Sequence, residues 1–428
     1  MTLYALIRTA SACALLCATL AVPAQAAPES VAPVPDLPLL PPAASVMQVL
    51  TQLPQVRAAD AGIAAAQAHS QRLQAGPHEW SLKAALQRRS DAAGARFAEQ
   101  ELGLETALRW PGKAQADRQL GELGVRAGQL ARGDAWHEAA RSLLNDWFDA
   151  LREARTADLL AAQARLALQQ LEVVQKRVKA GEVARLDALA AQADQARTDA
   201  VAAQAQARAQ SLARTLARRY PGLPSLPPAS AVALPLPDPL APSVQDWVTR
   251  ILADNHELEL AEALAQQARQ RAQRSALEQR ADPTLGVRAT RERSGQEQVL
   301  GVYVSLPLGG AGRRADEALA LAEAERAQQH LAQTRLAVET EAWRAATAAP
   351  ESRANWQRLE AAREHLQRSA DLQARAYSLG ETALTEVLQA RRGALEAALV
   401  AETARLEALQ SHARLLLDTH QLWALEHD

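Results

Sequence analysis

Cysteine, aromatic residues and long apolar runs are all scarce in this chain, and each scarcity removes a class of protein. The two cysteines, Cys13 and Cys17, both fall in the first 26 residues. The remainder can form no disulfide and offers no thiolate to a metal, so it must be stable by packing alone. Phe, Trp and Tyr together make 3% of 428 residues, although hydrophobic residues make 48%. Ala and Leu therefore carry the apolar count, a balance that suits long helices packed closely side by side. The nine His show neither H-x-x-x-H nor H-E-x-x-H spacing, so no metal site is expected. No Ser/His/Asp set, phosphate loop or metal motif appears in a plausible context, which argues against an enzyme. With 47 Lys and Arg against 49 Asp and Glu, the charge balance gives no reason to expect nucleic acid. Beyond the N-terminus no stretch approaches the ~20 apolar residues of a spanning helix. If the processed chain crosses a membrane, it must do so with strands.

The N-terminus reads as a secretory signal. "MTLYALIR" supplies one positive charge, "TASACALLCATLAV" is an apolar run, and "AQA" at residues 24–26 is a small-x-small cleavage site, so cleavage is expected after Ala26. Neither cysteine follows a convincing lipobox. Residues 27–44 form a Pro-rich leader, and a Pro-rich linker at 220–246 divides the rest into two repeats, 45–219 and 247–428.

The stretch "LETALRWPGKAQADRQ", residues 104–119, breaks the helical pattern. Leu102, Leu104, Thr106, Leu108 and Trp110 alternate with Glu101, Gly103, Glu105, Ala107 and Arg109, a period of two that signals a strand. Pro-Gly then ends it. "VLGVYVSLPLGGAGRRAD" at 299–316 repeats the pattern roughly 200 positions later. Each repeat carries two such segments, at about 79–88 and 97–110 and at about 284–291 and 298–308. Strands of ~10 residues tilted ~40° cover roughly 25 Å, the height of the apolar band in an outer-membrane barrel. The soluble alternative is a half-buried hairpin packed on a helix.

Helical hairpins follow at 113–219 and 311–425. The first helix would run about 100 Å at ~1.5 Å per residue. Within it Leu160, Ala164, Ala167, Leu171, Val174 and Val178 keep alternating steps of four and three, a heptad seam. Leu166, Leu168 and Val173 lie beside that seam, so the helix has apolar surface for more than one neighbour. In the second repeat Pro350 is expected to kink or restart the equivalent helix. "AGEVARLDALAAQA" at 180–193 matches "LGETALTEVLQARR" at 379–392, and the shared landmarks point to an old duplication.

These residues resemble the TolC-type outer-membrane efflux channels. The clearest stretches are residues 376–417, beginning "AYSLGETALTEVLQARR", and "RVKAGEVARLDALAAQADQA" at 177–196; "WPGKAQADRQ" and "AGEVARLDAL" look most like the heavy-metal, CzcC- and CusC-like branch. The resemblance implies a mainly α fold with a small membrane β-barrel. Each chain would supply four strands, and a homotrimer would close a 12-stranded barrel above a periplasmic α-helical barrel. It also implies a place in the outer membrane of a Gram-negative bacterium, in contact with its lipid. The partners would be a periplasmic adaptor, or membrane fusion protein, and an inner-membrane transporter of the RND class. No cofactor is implied. An open sheet edge in lipid leaves costly unpaired amides, which agrees with closure by several copies.

The resemblance also places candidate residues. Gly181 and Gly380 would turn the two hairpins, and with Glu182 and Glu381 would form the tips that meet the adaptor. Asp187 and Glu386, each six residues past its glycine, would line the periplasmic entrance with Tyr377 and Gln389. Three copies would set rings of carboxylates there, which favours cations. Thr382 and Gln389 depart from the family pattern, standing where a gate Arg and a second acid occur. Trp80 and Trp110 at strand ends suit a lipid interface, or ordinary packing beside the first helical turn. The rival readings are a type I secretion channel for polypeptides, which shares the fold, and the adaptor itself, which normally has one hairpin flanked by soluble β domains.

Overall fold

The computed structural model describes residues 39–90, 92–227 and 242–423. The expected signal peptide with its cleavage point after Ala26, the Pro-rich leader up to residue 38 and residues 228–241 of the central linker lie outside the described residues. The chain begins with two short helices, α1 (Ala43–Gln52) and α2 (Pro54–Ala75). Strands β1 (Ser81–Ser90) and β2 (Arg96–Ala107) come next, then α3 (Pro111–Lys179) and α4 (Arg185–Arg219). After the linker the order recurs as α5 (Val244–Ala253), α6 (His256–Leu277), β3 (Thr284–Glu292), β4 (Glu297–Ser305), α7 (Ala311–Ser378) and α8 (Leu384–Asp418). A single 3-10 turn, Arg293–Gly295, links β3 to β4.

The halves match element by element. Helices α1 and α5 each have 10 residues, α2 and α6 each 22, α4 and α8 each 35, and α3 and α7 have 69 and 68. Each half opens with two helices, α1–α2 and α5–α6. Pro54 takes the first position of α2, where its missing N–H costs nothing. Asn255 caps α6 by accepting from the Leu258 amide.

Strand ends differ from the sequence-based bounds by up to three residues. β2 stops at Ala107, so Leu108 and Trp110 lie past it; Trp110 instead caps α3. Pro111 at the first helical position fixes that boundary. β4 stops at Ser305, two residues before Pro307, which cannot donate to a ladder.

Pro350 neither ends nor restarts α7, which runs unbroken from Ala311 to Ser378. The proline removes one backbone hydrogen bond, but Ala342, Ala346, Ala349 and Trp356 are buried on either side of it. Packing of that face outweighs a local cost of about 3 kcal/mol.

The main core lies midway along the long helices, and six of the fourteen aromatics are spent there. Trp136, Leu143, Leu144, Trp147, Phe148 and Leu151 of α3 pack with Val46 and Leu50 of α1, Trp247 of α5 and Leu415–Leu417 of α8. Trp147 donates its indole N–H to the Leu39 carbonyl at 2.9 Å, and Trp136 donates to Trp423 at 3.2 Å. Next to this core, on the way to the hairpin tips, the packing narrows to small residues. Ala157 and Leu160 of α3 meet Ala202, Ala205 and Ala209 of α4, close packing that only Ala permits.

The four strands form one antiparallel sheet in the order β1-β2-β3-β4. Leu82 pairs with Leu104, Leu104 with Val287, and Val287 with Val302. The next apolar row is Ala84, Leu102, Ala289 and Leu300. Directly opposed residues share a face, so one face is a continuous aliphatic surface. The other carries Lys83, Gln87, Arg89, Glu99, Glu101, Glu105, Arg288 and Tyr303.

Candidate functional site

The sheet is the first functional element, because nothing among the described residues covers its aliphatic face. Leu82, Leu86, Leu300, Val302 and Val304 are all more than two-thirds exposed. The polar face is satisfied by its own side chains. Arg89 bridges Glu99 at 2.6 Å and Glu292 at 3.1 Å, Lys83 holds Glu105 at 2.7 Å, and Tyr303 donates to the same Glu105. Tyr303 lies across Gly286, where any Cβ would collide with the phenol ring. β1 and β4 form the two sides of the sheet, with no further strand beside either among the described residues. A soluble sheet buries its apolar face under a second layer. Here the charges are gathered on one side and the aliphatics face outward.

The second element is the hand-over from strand to helix. Lys113, in the first turn of α3, is 1% exposed, and its ammonium donates to Glu278 at 2.8 Å and Asp282 at 3.0 Å. Asp282 also holds His78 at 2.8 Å. Arg109 donates to the Leu73 and Gln74 carbonyls at the end of α2 and to Asp117 at 3.0 Å. Gly76 has φ +88°, and a Cβ there would press on the Arg109 guanidinium. Trp110, half exposed, donates its indole N–H to the Ala281 carbonyl at 2.9 Å, whereas Trp80 stands free just before β1. These bonds clamp the β2–α3 junction to the ends of α2 and α6. Desolvation opposes ionisation of Glu278 and Asp282, but their cationic partners hold both carboxyls below the usual range.

The third element is the pair of hairpin tips. Gly181 and Gly380 have φ +75° and +79°, a conformation that favours glycine. The Glu182 amide donates to the Arg177 carbonyl and the Gly181 amide to Val178. The Glu381 amide likewise donates to Ala376 and the Gly380 amide to Tyr377. Both tips thus close with the same Schellman cap. Leu171 and Val174 of α3 meet Tyr377 of α7 and Leu384, Val387 and Leu388 of α8 in one cluster.

The expected entrance residues separate into two sets. Tyr377 is buried, and Asp187 is half-buried close enough to act on its hydroxyl. Glu386 and Gln389 are exposed. Sequence reading did not single out Arg177. Its guanidinium lies 5.0 Å over the Tyr377 ring, donates to the Tyr377 carbonyl at 3.3 Å and reaches Glu182 at 3.2 Å. It looks like an ordinary basic residue in a last helical turn, and its partner is 200 positions away.

No family model and no curated protein matches the chain by sequence. Solved structures do match in shape. The Campylobacter jejuni CmeC outer membrane channel superposes with a TM-score of 0.73 over 90% of this chain and 86% of its own, at 14% identity. The outer membrane protein VceC of Vibrio cholerae gives 0.69 over 89% of this chain and 96% of its own, at 17% identity. This is the outer-membrane channel fold. CusC, described with transmembrane channel formation, gives 0.64 over 88% of this chain and 91% of its own, at 16% identity. It does not stand out from the others, so the likeness does not single out the heavy-metal branch.

Proposed function

We propose that the chain is one third of an outer-membrane efflux channel. Three copies pair β1 of one sheet with β4 of the next, giving twelve strands and a barrel without edges. The aliphatic face meets lipid and the charged face lines the pore. The long helices complete a periplasmic tube, whose tips at Gly181, Glu182, Gly380 and Glu381 meet an adaptor. An RND-class transporter in the inner membrane supplies the energy, and the duct itself is passive. The observation that carries this reading is the four-stranded sheet, aliphatic and uncovered on one face, charged on the other.

Asp187 and Glu386 form the cation-favouring entrance, with Tyr377 and Gln389 beside them. Metal cations are the proposed cargo, on the likeness of residues 110–119 and 180–189 to the heavy-metal branch. They would pass through as substrate; among the described residues no group of three His, Cys, Asp or Glu is placed to retain one.

The test is assembly and current. In detergent the processed protein should have the mass of three chains and give discrete single-channel steps in planar bilayers. A water-soluble monomer needing no detergent would overturn the reading. Sensitivity of a deletion strain to drugs but not to metal salts would overturn the cargo.

A further inference from the structure

The strands divide their charges by sign as well as by face. Every carboxylate in β1–β4 (Glu99, Glu101, Glu105, Glu292 and Glu297) lies on the polar face. The aliphatic face carries no acid and three cations, Arg88, Arg96 and Arg291. All three stand at the end of the sheet away from the helices, since β1 follows α2 at Ser81 and β2 leads into α3 after Ala107. The other end of this face holds Leu285 and Val304, with Trp80 and Trp110 just outside the strands. Lys83 and Arg89 on the polar face are neutralised by glutamates, whereas no ion pair among the described residues reaches Arg88, Arg96 or Arg291.

Next to these arginines the face is hollowed. Three consecutive residues from each of β2, β3 and β4 line a groove of about 580 Å³, and the outer two of each trio belong to the aliphatic face. Ala289, the smallest of these six, sits between Leu102 and Leu300. Arg291, one row nearer the rim, sits between Gln100 and Gln298. The groove is therefore aliphatic toward the helices and rich in hydrogen-bond donors toward the rim.

We propose that this rim binds a phosphate-bearing anionic lipid of the outer leaflet, with its phosphates on Arg88 and Arg291 and an acyl chain in the groove over Ala289. A guanidinium meets phosphate oxygens through two parallel N–H donors, and the Gln100 and Gln298 amides add donors on either side. A zwitterionic headgroup would bring an ammonium that no carboxylate of this face can receive, so the acid-free rim selects net negative charge. Cations at the edge of an apolar band cost little, unlike cations at its middle. Three copies make three such sites around the barrel. The proposal rests on the channel reading above, which sets the aliphatic face in lipid and the strand tips outward.

Native mass spectrometry of the processed protein in detergent tests it, with lipid A as the anionic probe and phosphatidylcholine as the zwitterionic one. The parent trimer should keep lipid A and lose phosphatidylcholine. Arg291→Gln should weaken lipid A binding about fivefold, and Arg88→Gln with Arg291→Gln about 30-fold. Arg288→Gln removes the same charge from the polar face of the same strand and should bind as the parent does. Ala289→Leu fills the groove without a change of charge and should also weaken lipid A binding, while inorganic phosphate should not displace the lipid. The same spectra report assembly, so a variant that fails to form trimers is recognised by its mass. Equal retention of the two lipids by a trimeric parent would overturn the site and leave the channel reading standing. So would equal losses from Arg288→Gln and Arg291→Gln, an unaffected Ala289→Leu trimer, or displacement by inorganic phosphate. A parent that is not a trimer would overturn the channel reading and the site with it.

Discussion

The ammonium of Lys113 lies 3.0 Å from the carboxylate of Asp282 and is 1% exposed, so the start of α3 is bound to the residue region that launches β3. Glu278 shares the same ammonium at 2.8 Å. Removing both carboxylates strands a buried cation, which costs about 3–5 kcal/mol, whereas removing the cation as well costs far less. Glu278→Gln with Asp282→Asn should therefore lower the thermal unfolding temperature sharply, and adding Lys113→Met should recover much of the loss. A triple variant no more stable than the double would contradict the clamp.

The two faces of the sheet predict opposite tolerance to charge. Val302→Arg places a cation on the aliphatic face, where lipid exposure costs about 2–4 kcal/mol near mid-membrane. Gln87→Arg places the same charge beside Glu99 and Arg89 on the polar face. Membrane fractionation should show Val302→Arg depleted from the outer membrane and Gln87→Arg retained there. Equal recovery of the two would mean that the faces are misassigned.

Much of this was legible in the chain, for reasons that lie in the residues. The period of two in Leu102, Leu104 and Thr106 reflects one aliphatic and one charged face, and survives because both faces have a fixed destination. Heptad spacing from Leu160 to Val178 was equally readable, since Leu160, Ala167, Leu171 and Val174 face a partner along their whole length. The Lys113–Asp282 clamp was not, because its members are nearly 170 positions apart and each is an ordinary surface residue type. Arg177 was hidden likewise, and the continuity of α7 through Pro350 depends on packing that local propensity does not record.

Glycine gives a test in which one chemical change has two signs. At Gly380, φ is +79° and a new Cβ would meet nothing within 4 Å, so only backbone strain opposes it. Gly380→Ala should destabilise by about 1 kcal/mol. Gly62 lies inside α2 with equally open surroundings but without a positive φ, so Gly62→Ala should stabilise by about 0.5–1 kcal/mol. Paired thermal melts read the difference directly.

Acid should loosen the far end of α8. Asp418 is 3% exposed and accepts from His137, Arg141 and Arg414 at 3.1, 3.0 and 2.6 Å. Burial works against its charge, but these partners prevail and bring its pKa down to about 2. Because the folded value is below the unfolded one, the stabilisation is present above about pH 4 and lost as pH falls toward 2. The shift corresponds to about 2 kcal/mol. Burial also lowers the His137 pKa below its usual 6.5, so its contribution fades earlier, as pH falls below that value. Stability should decline gently from about pH 6.5 and more steeply below 4. Asp418→Asn should flatten the steep part, and an unaltered acid limb would show that Asp418 does not carry it.

Glu386 is exposed on the first turn of α8 and has no partner of its own chain among the described hydrogen bonds and ion pairs. On the proposed three-fold tube its carboxylates would face one another across the entrance, where unpaired charge acts strongly on ions in transit. Glu386→Ala should raise single-channel conductance or lower the preference for cations over anions, read from reversal potentials in a salt gradient. Glu386→Asp keeps the charge and should stay close to the parent in both respects. If Glu386→Ala leaves current and selectivity unchanged, Glu386 is not in the pore, and the entrance ring must be built from Asp187 alone.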